Sequence, residues 1–583
     1  MTPIIVSMQA GAGAFAERVA SIIDGRAVQA SADTIKDVVQ EAFLSNRPVI
    51  GICASGILIR ILAPCLGDKH TEPPVISIAE DGASVVPLLG GHHGANEMAG
   101  RIARATGGHA AITTASEVRF GVSLEEVPGH NLANPTDVKP FVANLLAGAS
   151  VTVEGEASWL GSIPRSPTSH LKVTVTERKV TGNAANLVYH PRRLALGIGC
   201  ERGAEPEALS ALVDGVLEKA GLASEAIACV VSIDLKMDEP AIHALAERFG
   251  VPARFFSASE LNAESARLRN PSAAVMRETG CPGVAEGAAL RASGPTGELV
   301  VEKTKGRGVT CAIARAIAPM DASIVGRKRG SLAVVGIGPG SDELRTGAAL
   351  TALGSATDWV GYGLYLDLVA DIRGNRQEHR FLLGQEGERA RHALALADAG
   401  RDVALVCSGD AGIYAMASLV FELADRSRNG SSRASITVVP GVSAFQLASA
   451  RAGAMIGHDF CAVSLSDLLT PWSVIEKRLR AAAESDFVVA LYNPRSQRRT
   501  TQLEKAITIL SAHRPAATPV LVASCLGREN EKVSVVSLAE FDADTVDMMT
   551  VVLIGSSESR SFVDGEGRTL AYTPRGYRCG TPS

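Results

Sequence analysis

The sequence predicts an α/β protein of several domains built on largely parallel sheets, and three observations carry that expectation. At 583 residues the chain is too long for one core, so three to five domains are expected. Short apolar runs of strand length alternate with longer stretches of helical period, the rhythm of βαβ units. Several of those runs break into glycine-containing corners, the best of them Ser331-Leu-Ala-Val-Val-Gly-Ile-Gly-Pro-Gly340. A composition of 46% hydrophobic and 20% charged residues with 57 glycines fits such a chain and argues against disorder.

A net charge of −5 argues against nucleic acid as a partner, so an anionic small molecule would have to meet local clusters of Arg and Lys. The ten cysteines are scattered, with no Cys-x-x-Cys and no Cys/His array at zinc spacing. Cys229 and Cys407 lie in apolar runs, the usual place of a reduced, buried thiol. The amino end carries no basic leader and runs straight into a first strand, and no apolar run reaches membrane-spanning length. The expectation is a cytoplasmic protein with no membrane partner and no bound metal.

Along the chain, residues 1–135 hold strand-like runs such as Pro48-Val-Ile-Gly-Ile-Cys53 and Pro74-Val-Ile-Ser-Ile78 between helical stretches, a first α/β domain. Residues 136–190 give weaker signals, a helix and then short strands such as Leu171-Lys-Val-Thr-Val-Thr176, and read as a small central region. Leu194-Ala-Leu-Gly-Ile-Gly199 opens a third α/β unit, 191–318. Residues 319–330 contain Pro319 and the basic run Gly326-Arg-Lys-Arg-Gly330 without any apolar period, which reads as a solvated tether.

Beyond it, two lobes are expected, 331–440 and 441–583. Asp342-Glu343 should open a helix, since Leu344, Ala348, Ala349 and Ala352 follow at helical spacing. The corner is not the dinucleotide fingerprint, because Ser341 stands where Gly-x-Gly-x-x-Gly needs a glycine and Pro339 lacks an N–H. Val403–Cys407, Ile436–Val439, Phe487–Leu491 and Thr550–Ile554 read as further buried strands, each ending at a corner. Ligands in open α/β sheets gather at such carboxyl ends.

Four of these corners, Gly336-Ile-Gly-Pro-Gly340, Ser408-Gly-Asp-Ala-Gly-Ile-Tyr414, Val439-Pro-Gly-Val-Ser-Ala444 and Leu491-Tyr-Asn-Pro494, in this order, resemble the tetrapyrrole methylase family. The resemblance covers nearly all of 331–583. It implies two α/β lobes with S-adenosylmethionine (SAM) between them, and a homodimer through this half. Gly457–Trp472 and Tyr572–Tyr577 look like the precorrin-3B C(17)-methyltransferase branch, which also contracts the macrocycle on the way to cobalamin. One departure is Ala411, where much of the wider family has proline.

The resemblance places the cofactor on Gly338, Pro339, Gly409, Asp410, Ile413, Tyr414, Ser443, Ala444 and Leu491. Asp410 could face the cationic end of SAM or cap the following helix. Ring contraction needs proton transfer around a hydroxyl, for which Asp467, His458 and Asp459 are candidates; Asp467 also suits an N-cap for a helix near Trp472. His458 is further expected to touch substrate. Arg495, Arg498 and Arg499 could fork onto the acetate and propionate arms of a tetrapyrrole, or begin a solvated helix.

In the first half, three stretches stand out: Gly51–Arg60, Leu88-Leu-Gly-Gly-His-His-Gly-Ala-Asn-Glu97, and Ser232–Pro240 with Lys236 between carboxylates. Adjacent side chains such as His92 and His93 diverge in a loop, which disfavours a shared metal. Anion or carbonyl recognition by imidazole and the Asn96 amide, or a plain helix cap by Asn96, fits better. With Ile112–Ala115, Gly197–Arg202, Pro271-Ser272, Gly283–Glu286 and Val301–Lys303, these stretches resemble the cobalt-precorrin-5A hydrolase family over about 1–318.

That resemblance implies opening of a lactone with release of acetaldehyde. His92, His93 and Glu97 with the adjacent glycine amides would supply a base and oxyanion donors, while Ser55, Lys236, Glu286 and Lys303 would hold substrate carboxylates. A surface salt bridge remains the alternative for Lys236. The loop is one glycine short of the family's usual pattern, so a corrinoid-holding module without catalysis stays open beside the hydrolase. Methylation of a protein side chain by the second half is a third reading. Whether cobalt is already in the ring is left open.

Overall fold

The computed structural model describes residues 3–577 apart from 9, 69–70, 427–432 and 497. The chain divides into two compact units, Met1–Gly326 and Arg327–Ser583.

The first unit holds three sheets. The amino-terminal one orders its strands Arg26–Gln29, Ile4–Ser7, Val49–Ile52, Val75–Ile78, Ser84–Leu89 and His109–Ala110. All its pairings are parallel except Val75–Ile78 with Ser84–Leu89. Its three strands Ile4–Ser7, Val49–Ile52 and Val75–Ile78 are buried along their whole length because helices cover both faces. Gly13–Ile23 and Ala95–Thr106 pack on one face, Ile35–Leu44 and Ser55–Leu62 on the other. Strands buried on both sides read as continuous apolar runs, which is why they were legible.

The second sheet orders His130–Leu132, Asn186–Pro191, Leu171–Val175 and Val151–Glu154. Its core draws in Phe120, Leu124 and Val127, and the Tyr189 hydroxyl donates to the Leu124 carbonyl at 2.5 Å. The small central unit therefore reaches back across the expected boundary at 135. The third sheet orders Ala253–Phe256, Ile227–Ile233, Leu194–Cys200, Val309–Arg315 and Glu298–Lys305, the first three parallel and the last two antiparallel. Burial pushes the Cys229 thiol in this sheet up to about 12, so it stays protonated.

The stretch read as a solvated tether is docked at both ends, each onto its own unit. Met320, Ala322 and Val325 pack against the core of the first unit, and Arg254 Nε donates to the Ala322 carbonyl at 2.8 Å. Lys328 pairs with Asp402 in the second unit, and Arg329 Nε donates to the Arg433 carbonyl at 2.9 Å. The apolar contacts follow no period, so the sequence hid them.

The second unit begins with a lobe of five parallel strands in the order Gln377–Phe381, Asp358–Tyr362, Asp402–Cys407, Ser331–Gly336 and Ser435–Val439. Ser435–Val439 is an edge strand with Thr437 and Val438 exposed, not the buried strand expected. Asp342–Leu344 forms a single 3-10 turn, and the helix starts later, at Gly347, where Thr346 Oγ1 accepts the Ala349 N–H at 3.1 Å. The threonine cap, not the acidic pair, sets that start.

The other lobe orders Phe460–Ser464, Val488–Tyr492, Thr550–Ile554, Pro519–Ser524 and Lys532–Ser537, with only the first pair parallel. This corrects one expectation about the corners. Val489 pairs with Ile554 and Leu491 with Val552, so the end of Thr550–Ile554 lies where Val488–Tyr492 begins. Gly555 is thus at the opposite edge from Asn493, and its carbonyl is taken by Arg514 Nε at 3.0 Å.

Asp358 is wholly buried at the start of its strand. Burial alone would push its carboxyl up, but donors on Thr357, His379 and Arg401 hold it below the usual carboxylate range. Its ionised form is favoured in the fold, so its contribution is present above the unfolded carboxyl value and fades as pH falls through the lower folded one. Asp358→Asn should cost about 2–3 kcal/mol at pH 7, the low end for a buried pair because Arg401 keeps an edge in water. Denaturant midpoints should show that deficit shrinking on acidification; a constant deficit would rule out the charge as its source.

Candidate functional site

Three strand ends of the first lobe of the second unit finish level, since Gly336 pairs with Cys407 and Val335 with Val439. Their corners meet backbone to backbone. Gly338 N donates to the Gly409 carbonyl at 3.2 Å and Gly409 N to the Gly338 carbonyl at 2.8 Å. A Cβ on Gly336 would lie 2.6 Å from the Gly409 oxygen, and one on Gly441 only 2.2 Å from it. Gly338 (φ +78) and Gly409 (φ +67) also need the left-handed conformation that glycine tolerates. On its outer side Gly409 is open, for a Cβ there would meet nothing within 4 Å.

Asp410 fastens the second corner to the third. Its Oδ1 accepts the Gly412 N–H at 2.8 Å and its Oδ2 the Gly441 N–H at 3.1 Å. The next helix begins only at Ala417, so Asp410 is not its cap. Ser443 is buried and caps Ala444–Ala452, its N–H and hydroxyl both donating to Gln446 Oε1, at 3.0 and 2.9 Å. Pro339 offers its carbonyl to Arg528 Nε at 3.4 Å. Ile413 packs on the second-lobe core, and the Tyr414 hydroxyl donates to the Ala462 carbonyl at 2.8 Å. Leu491 differs from these: its side chain lies wholly within the second-lobe core.

Around the Asn493 corner, Asn493 (φ +50) donates from Nδ2 to Ser464 Oγ at 3.1 Å. Arg499 is buried and gives its Nε to the Asn493 carbonyl at 2.8 Å. Arg495 binds the Ala543 carbonyl at 2.8 Å and Asp544 at 2.7 Å. Arg498 is exposed, with no hydrogen bond or ion pair among the described residues. Asp467 accepts from Gln502 Nε2 at 2.7 Å; the helix Trp472–Glu484 has Pro471 at its cap, so Asp467 does not cap it. His458 and Asp459 are exposed neighbours, His458 Nδ1 accepting the Asp459 N–H at 2.8 Å.

In the first unit, Gly90 (φ +66) and Gly94 (φ +90) bracket the turn Gly91–His93, which leads into Ala95–Thr106. His93 and Glu97 are exposed; the side chain of His92 lies outside the described residues. Asn96 is buried and does not cap its helix. Its Nδ2 donates to Thr114 Oγ1 at 3.0 Å and Glu117 Oε2 at 2.8 Å. Ser55 is the first residue of Ser55–Leu62.

The structure adds Glu126 to this loop. Burial pushes its carboxyl up to about 7, with the charges of Glu97, Glu117 and Glu125 adding to it against the pull of the Gly94 N–H. Glu126 is nevertheless exposed at the surface, so water screens part of that shift. Nothing along the chain linked it to Gly94; the doubled carboxylate Glu125-Glu126 was the only signal.

In the third module Lys236 Nζ lies 3.7 Å from Oε2 of the wholly buried Glu239. Glu286 is engaged internally, accepting from the N–H groups of Arg269, Asn270 and Lys303 and from Asn270 Nδ2, each at 2.9 Å. Lys303 Nζ donates to the Asn270 carbonyl at 2.6 Å. No group of three or more His, Cys, Asp or Glu placed to hold a metal occurs among the described residues.

Two outcomes follow from this geometry. Gly441→Ala should destabilise by about 2–3 kcal/mol because only backbone can yield, whereas Gly409→Ala should cost about 1 kcal/mol for its left-handed φ alone. Equal denaturation midpoints would refute the packing. For Glu126, a raised folded value means its stability contribution is full below the unfolded carboxyl value and lost as pH rises through about 7. Glu126→Gln should therefore raise the melting temperature at pH 8 and leave it unchanged near pH 4.

Comparison with known proteins locates three families on the chain. The cobalamin synthesis G N-terminal family matches residues 37–117, the cobalamin synthesis G C-terminus family 194–314, and the tetrapyrrole (corrin/porphyrin) methylases 331–542. A "Probable cobalt-factor III C(17)-methyltransferase" of Salmonella typhimurium is 44% identical over 246 residues, which are 42% of this chain and 99% of that protein. A "Precorrin-3B C(17)-methyltransferase" of a Sinorhizobium species is 43% identical over 249 residues, 42% of this chain and 97% of its own. The crystal structure of the methyltransferase CobJ aligns with 40% identity and a TM-score of 0.39, covering 42% of this chain and all of that one. The first half thus carries two segments that match cobalamin synthesis G families, and through its second half the chain belongs to the tetrapyrrole methylase family.

Proposed function

We propose that this chain is a two-activity enzyme of corrin-ring assembly. Its second half methylates C-17 of precorrin-3B or its cobalt form and contracts the ring, with SAM as donor. Its first half opens the lactone of cobalt-precorrin-5A and releases acetaldehyde. The observation that carries the reading is the match of the second half to nearly the full length of two C(17)-methyltransferases, on a chain that also bears both cobalamin synthesis G domains.

The corner residues suit SAM. Gly409 leaves an open, side-chain-free surface beside Asp410, and Pro339, Ser443 and Ala444 lie on the same level of strand ends. Gly338, Ile413, Tyr414 and the backbone near Leu491 complete the set that would hold it. The cofactor supplies an electrophilic methyl on a sulfonium centre. Displacement then asks the protein mainly for alignment, which can contribute roughly 7–11 kcal/mol. Asp467, fixed by Gln502, and His458 are the candidates to move a proton at the substrate hydroxyl, worth about 10²–10⁴-fold. Arg498 is free to take a carboxylate arm, whereas Arg495 and Arg499 already serve their own chain.

In the first half, Glu126 would take a proton from water, since a carboxyl near 7 is poised to do so at neutral pH. His93, His92, Glu97 and the glycine amides would stabilise the oxyanion, with Ser55 and Lys236 on substrate carboxylates. A cytoplasmic location and a homodimer through the second half belong to the same proposal; the resemblance supports the dimer.

The full chain given cobalt-precorrin-5A should release acetaldehyde at a rate rising through about pH 7. Glu126→Gln should lose about 10²-fold or more of that rate, while methyl transfer from labelled SAM to precorrin-3B continues unchanged. No acetaldehyde with methyl transfer intact would make the first half a corrinoid holder, and label in protein instead of tetrapyrrole would overturn the second half's assignment.

A further inference from the structure

Leu468 and Leu469 are 81% and 93% exposed, the two most exposed large apolar side chains among the described residues. A single exposed leucine needs no explanation, but an adjacent pair held out on a fixed stem does. The stem is well anchored. Leu465 is buried and its N–H donates to the Tyr492 carbonyl at 2.9 Å, Ser466 N bonds Ser464 Oγ at 3.3 Å, and Asp467 is tied to Gln502. On the far side Pro471 starts the helix whose Trp472 packs against the core.

The tip springs from the carboxyl end of Phe460–Ser464, the strand whose Ala462 carbonyl Tyr414 reaches from the glycine corners. Cations stand beside it. The Asp467–Gln502 bond, and the pull of Asp467 on Arg499, bring Gln502 and Arg499 to the stem, and Arg498, next in sequence, is exposed with no partner among the described residues. Lys505 lies over the Trp472 ring at 5.6 Å. An apolar tip with positive charge close by matches a flat apolar ring that carries carboxylates. It matches neither a lone anion nor a plain apolar peptide.

We propose that residues 465–471 form the shelf on which the tetrapyrrole macrocycle rests, Leu468 and Leu469 against its apolar face and Arg498 on a carboxylate arm. This rests on the functional reading above and adds to it the residues that select a large flat substrate. The leucines are positioning residues, since the shelf holds the ring while the reacting carbon is presented to the donor.

The test uses the full chain with Leu468→Ser and Leu469→Ser combined, and Arg498→Ala separately. The double variant should raise KM for precorrin-3B at least tenfold with kcat within about threefold, and should weaken binding of uroporphyrin, a flat tetrapyrrole with acetate and propionate arms, to a similar degree. Affinity for S-adenosylhomocysteine, melting temperature and mass by light scattering should stay as in the parent. Arg498→Ala should raise KM and weaken uroporphyrin while leaving its methyl ester unaffected. An unchanged KM would overturn the proposal, as would a halved particle mass, which would mean that the leucines cover a second copy of the chain. Failure of the parent chain to bind uroporphyrin or to methylate precorrin-3B, with S-adenosylhomocysteine still bound, would instead bring down the functional reading on which the shelf depends.

Discussion

The second unit is governed by contact between backbones: a side chain on Gly336 or Gly441 would strike the Gly409 carbonyl. Three parallel strands must end level for those corners to touch, so the register of the sheet and the shape of the corner are one constraint. Once they touch, the Gly441 N–H comes within reach of Asp410, which adds a charge-assisted bond across two loops. Ser443 then opens its helix at the same level, and Tyr414 extends from the second corner to the other lobe. The row of level corners is thus a consequence of how the sheet packs.

The same economy recurs in the first unit. Gly90 turns where a Cβ would strike the backbone of Pro74 at 2.8 Å, and Gly197 admits the Ala285 carbonyl, 2.0 Å from where its Cβ would stand. Both sit where a strand must lie close to another part of the chain. Corners of this kind are local in sequence, and so they were legible there. Strands buried on both faces were legible too, because their apolar runs are continuous.

What the sequence could not carry was direction and distance. Thr550–Ile554 reads the same whether parallel or antiparallel to Val488–Tyr492, so the Gly555 corner was put on the wrong edge. Ser435–Val439 has the apolar run of an inner strand, and only its place at the end of the order exposes it. The core of the central unit takes Phe120, Leu124 and Val127 from ahead of its first strand, a contact that the alternation of strand and helix signals does not reveal. Glu126 meets Gly94 through the fold alone, and Glu286 finds its partners on two separate segments.

The two units also divide the chemistry in a way their side chains reflect. Methyl displacement needs little from a side chain beyond holding partners in line, and an error of about 1 Å can cost on the order of a hundredfold. Rigid backbone corners, with Asp410 tying two of them, are suited to that demand because they have few rotamers to lose. Opening a lactone requires a proton to leave water, and that needs a titrating group near neutrality. We propose Glu126 for that task in the first unit, where partial burial and neighbouring carboxylates push its carboxyl up beside a glycine amide. In the proposed reading one task depends on where the backbone is fixed, the other on where charge is crowded.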